Sequence, residues 1–556
     1  MKGFSALKPD PGGHGTGTAA GHLRRTVRIR WAADSVALKS QTDERPKAPI
    51  PLMSLRYSRF LTSVAALGLV ANATLTGCDT TTSTSSTDSS SDQSSRLLDG
   101  DRPGGPPAKA YETFDMVWTL VDTRHFDPEH NGVDWDGIRE IYRPRVSNVR
   151  TNAELRRLLR DMLDELGQTH FVIIPAEASP PPMDADVVSD HEGDAQGDAD
   201  ASEEDSEIEV ETGTFGIRLA WLDDDVVVSR VHPGSEADAA GIRPGWMVER
   251  VEDIEPASRL AAFRKTALES GTPFAEYESI EVLNTLVQRP VGKTLRLQFR
   301  DGEDREVEHN LTSQAVLGER ATFGLLPESP VVTETELLSE QELRSFGIEW
   351  DGNDAPRIAR MKFNIWMFPI LIPIAEAVDQ YRDVDGFIID LRENPGGIGG
   401  LAMGVAGHFL ATDESLGDMK MRDTTMHFKV NPQRATPDGR LVDPFSGPVA
   451  IVVDRCSAST SEVFAAGLQQ LGRAAVVGRP TAGAALPAHF ARLPNEDAFM
   501  FAVADFIGPA GTSIEGTGVI PDIKVPIDRD LLLTEGDPDI AAATRWIVSE
   551  LDDPTS

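Results

Sequence analysis

Two stretches of this chain combine residue types that do chemistry with neighbours that would leave them accessible. The first is Asp454-Arg455-Cys456-Ser457-Ala458-Ser459-Thr460-Ser461-Glu462, where an apolar run over 449–453 passes through small hydroxyl residues straight into a helix-forming segment, 461–471. A hydroxyl at a helix start lies beside unpaired N–H groups and a partial positive charge, a setting that favours an alkoxide and the oxyanion of a tetrahedral intermediate. The second is Asp390-Leu391-Arg392-Glu393-Asn394-Pro395-Gly396-Gly397, at the end of another apolar run, 386–391. Consecutive glycines let backbone amides point into a cleft with no side chain in the way. Taken singly, each has a plain structural explanation, since a serine cluster before a helix is ordinarily an N-cap. Their shared place beyond buried strands singles them out, because ligands of open α/β sheets lie at the carboxyl ends of the strands.

The elements that must carry these stretches follow from periodicity. From residue 321 onward, apolar strands (358–363, 386–391, 449–453, 474–477) alternate with helices (370–381, 461–471), the pattern of parallel strands joined by βαβ crossovers. At the other end, Phe114, Val117, Trp118 and Val121 recur at helical spacing, and Asp134 caps a second helix running to Tyr142. Thr151 with Glu154 reads as a capping box opening a third helix, with Leu155, Leu158, Leu159, Met162 and Leu166 on one face and Gly167 at its end. A stretch rich in Asp, Glu and Ser, 180–211, reads as a solvated linker. Short strands then follow, with Phe215-Gly216-Ile217, a turn at Pro233-Gly234, and a helix near 280–287. This region, 212–312, resembles a PDZ domain. The resemblance implies that the amides of Phe215, Gly216 and Ile217 capture a chain-terminal carboxylate while the peptide adds as a strand to the sheet edge. Segment 257–274 is longer than that family usually shows.

The two chemical stretches, together with Val-Val-Gly-Arg-Pro-Thr-Ala-Gly at 476–483 and Glu515-Gly516-Thr517-Gly518-Val519-Ile520-Pro521-Asp522, resemble in that order the tail-specific (C-terminal processing) serine proteases. The resemblance runs from about Tyr111 to the C-terminus. It implies an α/β core of the crotonase-like, ClpP-type architecture over 318–556, a helical cap over 108–179 and the inserted PDZ domain. It places the nucleophile on Ser459 and the oxyanion hole on the amides of Thr460 and of the Gly396-Gly397 turn. One position departs from the pattern: where the tail-specific branch carries its general-base lysine, this chain has Ala484, and no lysine stands between Ser459 and Lys524. A serine without a base is a poor nucleophile near neutral pH. Glu165-Leu166-Gly167-Gln168-Thr169-His170, however, resembles the turn carrying the catalytic histidine of the tricorn-like branch. That implies His170 as general acid/base, oriented by Thr169 with Glu515 behind it, a triad drawn from remote parts of the sequence. Cys456 is a rival nucleophile, but it lies within the end of an apolar strand, where a buried structural thiol is the plainer reading. Glu462 and Asp454 are expected to stabilise the helix start and the strand exit.

Composition sets the remaining bounds. The 556 residues allow about three domains. With 53 Lys+Arg against 89 Asp+Glu the formal charge is -36, which repels nucleic acid. His408, His427 and His489 lack metal-ligand spacing, so neither metal nor cofactor is expected. Residues 53–77, with Arg56 and Arg59 before an apolar stretch and Leu75-Thr76-Gly77-Cys78 at its end, resemble a bacterial lipoprotein signal. This implies cleavage before Cys78, lipidation of its thiol and a Ser/Thr/Asp-rich tether over 78–107 that holds the protein to a membrane of the cell envelope, facing periplasm or exterior; a transmembrane anchor is the competing reading. Residues 1–52 lie upstream of this signal, are basic and lack apolar periodicity, so translation is expected to start at Met53. The function expected is a serine endopeptidase or tail-trimming protease acting on extracytoplasmic polypeptides. A catalytically inactive relative that binds peptides or apolar ligands, and a lipid-tethered PDZ scaffold, stay open on the sequence alone.

Overall fold

The site rests on strands whose residues are apolar on both faces. In the computed structural model, which describes residues 27–29, 105–178, 212–350 and 354–552, Gly386–Asp390 and Val449–Val453 are buried at every position. Such runs form the middle of a sheet covered on both sides. The sheet has six strands in the order β7 (Thr333–Leu337), β8 (Ile358–Phe363), β9 (Gly386–Asp390), β12 (Val449–Val453), β13 (Ala475–Gly478) and β17 (Ile523–Lys524). All neighbours are parallel except β7 with β8. Helix α9 (Thr460–Gln470) makes the crossover between β12 and β13 and packs Val463, Phe464 and Leu468 into the main core with Phe387, Ile389 and Ile451. The opposite face is covered by α11 (Pro538–Asp552) through Ile540, Ile547 and Val548. The strands and helices expected from periodicity are present to within a residue or two at their ends.

The N-terminal helices α1 (Ala110–Arg124), α2 (Trp135–Tyr142) and α3 (Asn152–Leu163) stand where the sequence places them. Asp134 accepts from the Gly137 amide, and the Thr151 hydroxyl accepts from the Glu154 amide. The capping box is only half made, because the Glu154 carboxylate accepts from the Arg150 amide rather than from that of Thr151. Leu155, Leu159, Met162 and Leu166 bury against Leu486, Phe499 and Phe501, so the cap shares one core with a hairpin of the C-terminal half. That hairpin is β14 (Ala488–Arg492) with β15 (Ala498–Ala502), and β1 (Val172–Ile174), directly after the cap helices, pairs antiparallel to β15.

Between cap and core lies a five-stranded antiparallel sheet in sequence order, β2 (Ile217–Leu222), β3 (Asp225–Val231), β4 (Met247–Val251), β5 (Thr294–Arg300) and β6 (Glu306–Thr312). Segment 257–274, unusually long in the sequence, folds as α5 (Pro256–Ser270) leading into α6 (Pro273–Thr285), which lies along β2. A three-stranded sheet of β10 (Ser415–Met421), β11 (Thr425–Lys429) and β16 (Ala504–Ile507) completes the mixed α/β body. Val27–Ile29, in the upstream stretch, pairs with Ile348–Trp350. The signal segment, Cys78 and the acidic linker lie outside the described residues. Among the described residues no helix is long and apolar enough to cross a membrane.

Candidate active site

Ser459 stands between β12 and α9 with φ 53° and ψ −117°, a sparsely populated conformation for a non-glycine residue. Its amide is held twice, by the Ala484 carbonyl at 2.8 Å and by the Glu462 carboxylate at 3.0 Å. The hydroxyl stands at the N-terminal end of α9. It faces His170, whose Nε2 is 3.3 Å from Ser459 Oγ although the two residues are 289 positions apart. The pairing is produced by β1: its antiparallel register with β15, Val172 opposite Met500, brings the turn at 167–170 down onto the end of the core sheet. Gly167 and His170 both take positive φ there, 62° and 61°, bending the chain so that the imidazole turns inward.

Behind the imidazole, Thr169 Oγ1 lies 2.9 Å from His170 Nδ1. The Thr169 amide donates to Glu515 Oε1 and the Ala485 amide to Glu515 Oε2, both at 2.9 Å. If Nδ1–H donates to the threonine oxygen, Nε2 is left as an acceptor for the serine proton, the tautomer a general base requires. Burial lowers His170 to about 4, so the ring is neutral over the whole neutral range. Burial also raises Glu515, against the hydrogen bonds from Ala485 and Thr169.

Asn394, Gly396 and Gly397 form the wall opposite. A Cβ on Gly396 would lie 2.6 Å from Ser459 Cβ and 2.9 Å from the Thr460 nitrogen, and one on Gly397 would meet the Trp366 carbonyl at 2.4 Å, so both positions require glycine. The expected oxyanion hole needs one correction. The Gly396 amide donates to Asn394 Oδ1 at 3.0 Å, because the asparagine side chain folds back over its own turn, and that hydrogen is already committed. The amides of Gly397 and Thr460 make no hydrogen bond among the described residues.

Residues given purely structural roles in the sequence turn out to brace the site. Glu462, fully buried, accepts from the amides of Ser459, Gly483 and Ala484 and from the Thr481 hydroxyl, and so ties the serine to the turn at 481–484. Burial nevertheless raises its carboxyl to about 7. Arg392 is 2% exposed and grips Asp390 and Asp537 bidentately, which anchors the 390–397 exit to the start of α11. Arg218 and Arg230, from the inserted sheet, both pair with Glu393. No sequence signal marked those two arginines, since their partner lies in another domain. Ala484, where the tail-specific branch has lysine, is 4% exposed and packs in an apolar cluster with Tyr277, Cys456, Ala458 and Ala482. An ammonium placed in that cluster would be expensive to desolvate. Cys456 is 3% exposed with its thiol pKa raised by burial, the opposite of what an activated nucleophile needs.

A cleft of about 1030 Å³ adjoins the relay, lined by Thr169, Gly483, Leu486 and Glu515 on the site side and by Arg160 and Phe274 across from them. In the inserted sheet, Phe215 is buried and the Gly216 amide donates to Thr214 Oγ1, so of the three amides assigned to carboxylate capture that of Gly216 is already occupied.

The model of peptidase family S41 matches residues 373–525, and that of the tricorn protease C1 domain matches residues 106–164. The chain is similar to the chloroplastic carboxyl-terminal-processing peptidase 2 of Arabidopsis thaliana, with 26% identity over 312 residues covering 54% of this chain and 50% of that one. It is 22% identical over 407 residues to a carboxyl-terminal-processing protease of Synechocystis sp., covering 73% and 78%. It thus spans about half the length of the first of these relatives. Among solved structures, mature CPAF shares the fold at a TM-score of 0.50 and 13% identity, over 80% of this chain and 97% of that one. The fold is the mixed α/β one of that neighbour. Residues 373–525 thus carry a peptidase family S41 domain and residues 106–164 a tricorn protease C1 domain.

Proposed function

We propose that this chain is a serine endopeptidase that cleaves extracytoplasmic polypeptides through an acyl-enzyme, with Ser459 as nucleophile and His170 as its base. The observation that carries the reading is the 3.3 Å approach of His170 Nε2 to Ser459 Oγ, with Thr169 at the far side of the ring. In the first step His170 takes the hydroxyl proton as Ser459 Oγ attacks the scissile carbonyl, and the resulting oxyanion lies against the amides of Gly397 and Thr460. The imidazolium then returns its proton to the leaving amine. Water, deprotonated by the same ring, releases the acyl group and restores the serine. Glu515 fixes Thr169, and Thr169 fixes the ring. The substrate chain is proposed to occupy the cleft beside Thr169 and Glu515, and Cys78 to tether the protein by lipid to an envelope membrane.

The inserted sheet is proposed to be a PDZ fold. Capture of a substrate tail by Phe215, Gly216 and Ile217 with strand addition to β2 requires that edge to be open. The test of the function is hydrolysis of casein and of a fluorogenic peptide by the protein from Ala108 onward. Ser459→Ala and His170→Ala are expected to abolish turnover, and equal turnover by wild type and Ser459→Ala would remove the peptidase reading.

A further inference from the structure

The turn that carries His170 is held in a costly shape, since His170 keeps a φ of 61° in the left-handed region that a residue with a Cβ seldom adopts. Strand β1 fixes the chain beyond it, and Glu515 takes the Thr169 amide. The approach to the turn is held from below by the loop that follows α1. His125 Nε2 lies 2.8 Å from Gln168 Oε1, and Asn131 Nδ2 donates to the Leu166 carbonyl at 2.9 Å. The His125 ring also stacks on Phe171, with centroids 5.8 Å apart and planes at 8°. Gln168 and Phe171 flank the Thr169-His170 pair, so a single imidazole grips both sides of it.

His125 is fully buried and is itself fixed. Its Nδ1 lies 2.8 Å from the Asp127 carbonyl and 3.1 Å from the Asp127 amide, and Phe126 stacks on the ring at 4.6 Å. The Asp127 carboxylate closes the loop by accepting from the amides of Glu129 and Asn131. Arg422, just beyond β10, donates from Nε to the His125 carbonyl and from Nη2 to the Asp122 carbonyl, both at 3.0 Å. The core therefore holds His125, and His125 holds the turn. Burial lowers its pKa, so the ring is neutral at neutral pH, and with Nε2–H donating to Gln168 its Nδ1 accepts from the Asp127 amide. Packing alone would be served by phenylalanine without desolvating two nitrogens; a fully buried imidazole is explained by what those nitrogens hold.

We propose that His125 is a positioning residue for the general base: through Gln168 on one side and Phe171 on the other it sets the turn at 167–170, and with it the approach of His170 Nε2 to Ser459 Oγ. It acts through the turn and not on the reacting atoms. The catalytic half of this role rests on the peptidase reading; the grip on the turn does not.

Three substitutions in the full chain separate the grip from mere packing. Gln168→Met removes the acceptor at similar volume, Gln168→Glu keeps it, and His125→Phe keeps the stacking but loses both nitrogens. Hydrogen–deuterium exchange is read over residues 166–171, beside hydrolysis of a fluorogenic peptide and labelling of Ser459 by a fluorophosphonate. Gln168→Met and His125→Phe are each expected to speed exchange there about 10-fold and to lower kcat and the labelling rate about 10-fold with KM within about 3-fold, the size of effect one lost buried hydrogen bond produces. The double variant is expected to be no worse than His125→Phe, because both changes remove the same bond. Gln168→Glu is expected to recover most of the rate. Should His125→Phe fail to fold, Gln168→Met, at a half-buried position, carries the test. Wild-type exchange over 166–171 in Gln168→Met, wild-type kcat in that variant, or equal loss in the Met and Glu variants would overturn the proposal. If the wild-type chain neither hydrolyses peptide nor takes the label, the peptidase reading falls, while the exchange rates still decide whether His125 holds the turn.

Discussion

Thr169→Val isolates the orienting half of the proposed relay. The substitution is close to isosteric, so the packing of Thr169, itself 8% exposed, is retained while one hydrogen bond is lost. That bond is the one between Thr169 Oγ1 and His170 Nδ1 at 2.9 Å. Without it the Nδ1 proton is buried with no acceptor, at a cost of about 1–3 kcal/mol. The ring can escape this cost by moving the proton to Nε2, which then presents a donor instead of an acceptor to Ser459. Either outcome weakens the base, and about 1–3 kcal/mol on the barrier corresponds to roughly a 5- to 150-fold loss of kcat. Because Thr169 orients the base rather than binding the scissile bond, KM is expected to change little. The assay is steady-state hydrolysis of a fluorogenic peptide together with the rate of Ser459 labelling by a fluorophosphonate, both expected to fall in parallel. Thr169→Ser, which keeps the oxygen, is expected to recover most of the activity. Wild-type turnover in Thr169→Val, or equal loss in Val and Ser variants, would refute the reasoning.

Three further outcomes follow from the same geometry. Since burial lowers His170 to about 4, the acid limb of kcat/KM is expected near pH 4 rather than near the ordinary imidazole value, and a limb centred at pH 6 to 7 that survives Glu462→Gln would show that His170 is not the base. Gly396→Ala would put a Cβ 2.6 Å from Ser459 Cβ at a residue with φ 101°, so fluorophosphonate labelling is expected to fall about 100-fold or more while circular dichroism keeps its helical signal. Glu462 titrates at about 7 folded against about 4.5 unfolded. Its folded form therefore binds the proton more tightly, the associated stability is full below about pH 4.5 and is lost as pH rises through 7, and Glu462→Gln should flatten that segment of a urea-denaturation profile.

Much of the architecture was legible because it rests on local periodicity. Apolar runs such as 449–453 and 386–391 have few ways to be buried other than as central strands, and the amphipathic face of 152–166 has only one side to hide. The serine loop and the paired glycines were legible too, since their motifs are contiguous. What escaped was the detail of which donor and acceptor groups remain free. The Gly396 amide looked available in sequence but is taken by Asn394 Oδ1, a choice made by side-chain rotamer rather than residue order. Glu462 read as a helix-start residue, yet it also holds the 481–484 turn, because burial forces a carboxylate to gather every donor within reach.

The order of motifs along the chain determined the α/β class and the placing of the serine loop and the glycine turn at strand ends, since those depend on the types of neighbours a few positions away. Tertiary structure alone decided that β1 pairs with β15 and so delivers His170 to Ser459, and that α6 closes the β2 edge with Asn284 while leaning on the nucleophile loop. These contacts join segments from 65 to more than 300 residues apart, and their distances are set by how packed cores fit together, which no local pattern of residues encodes.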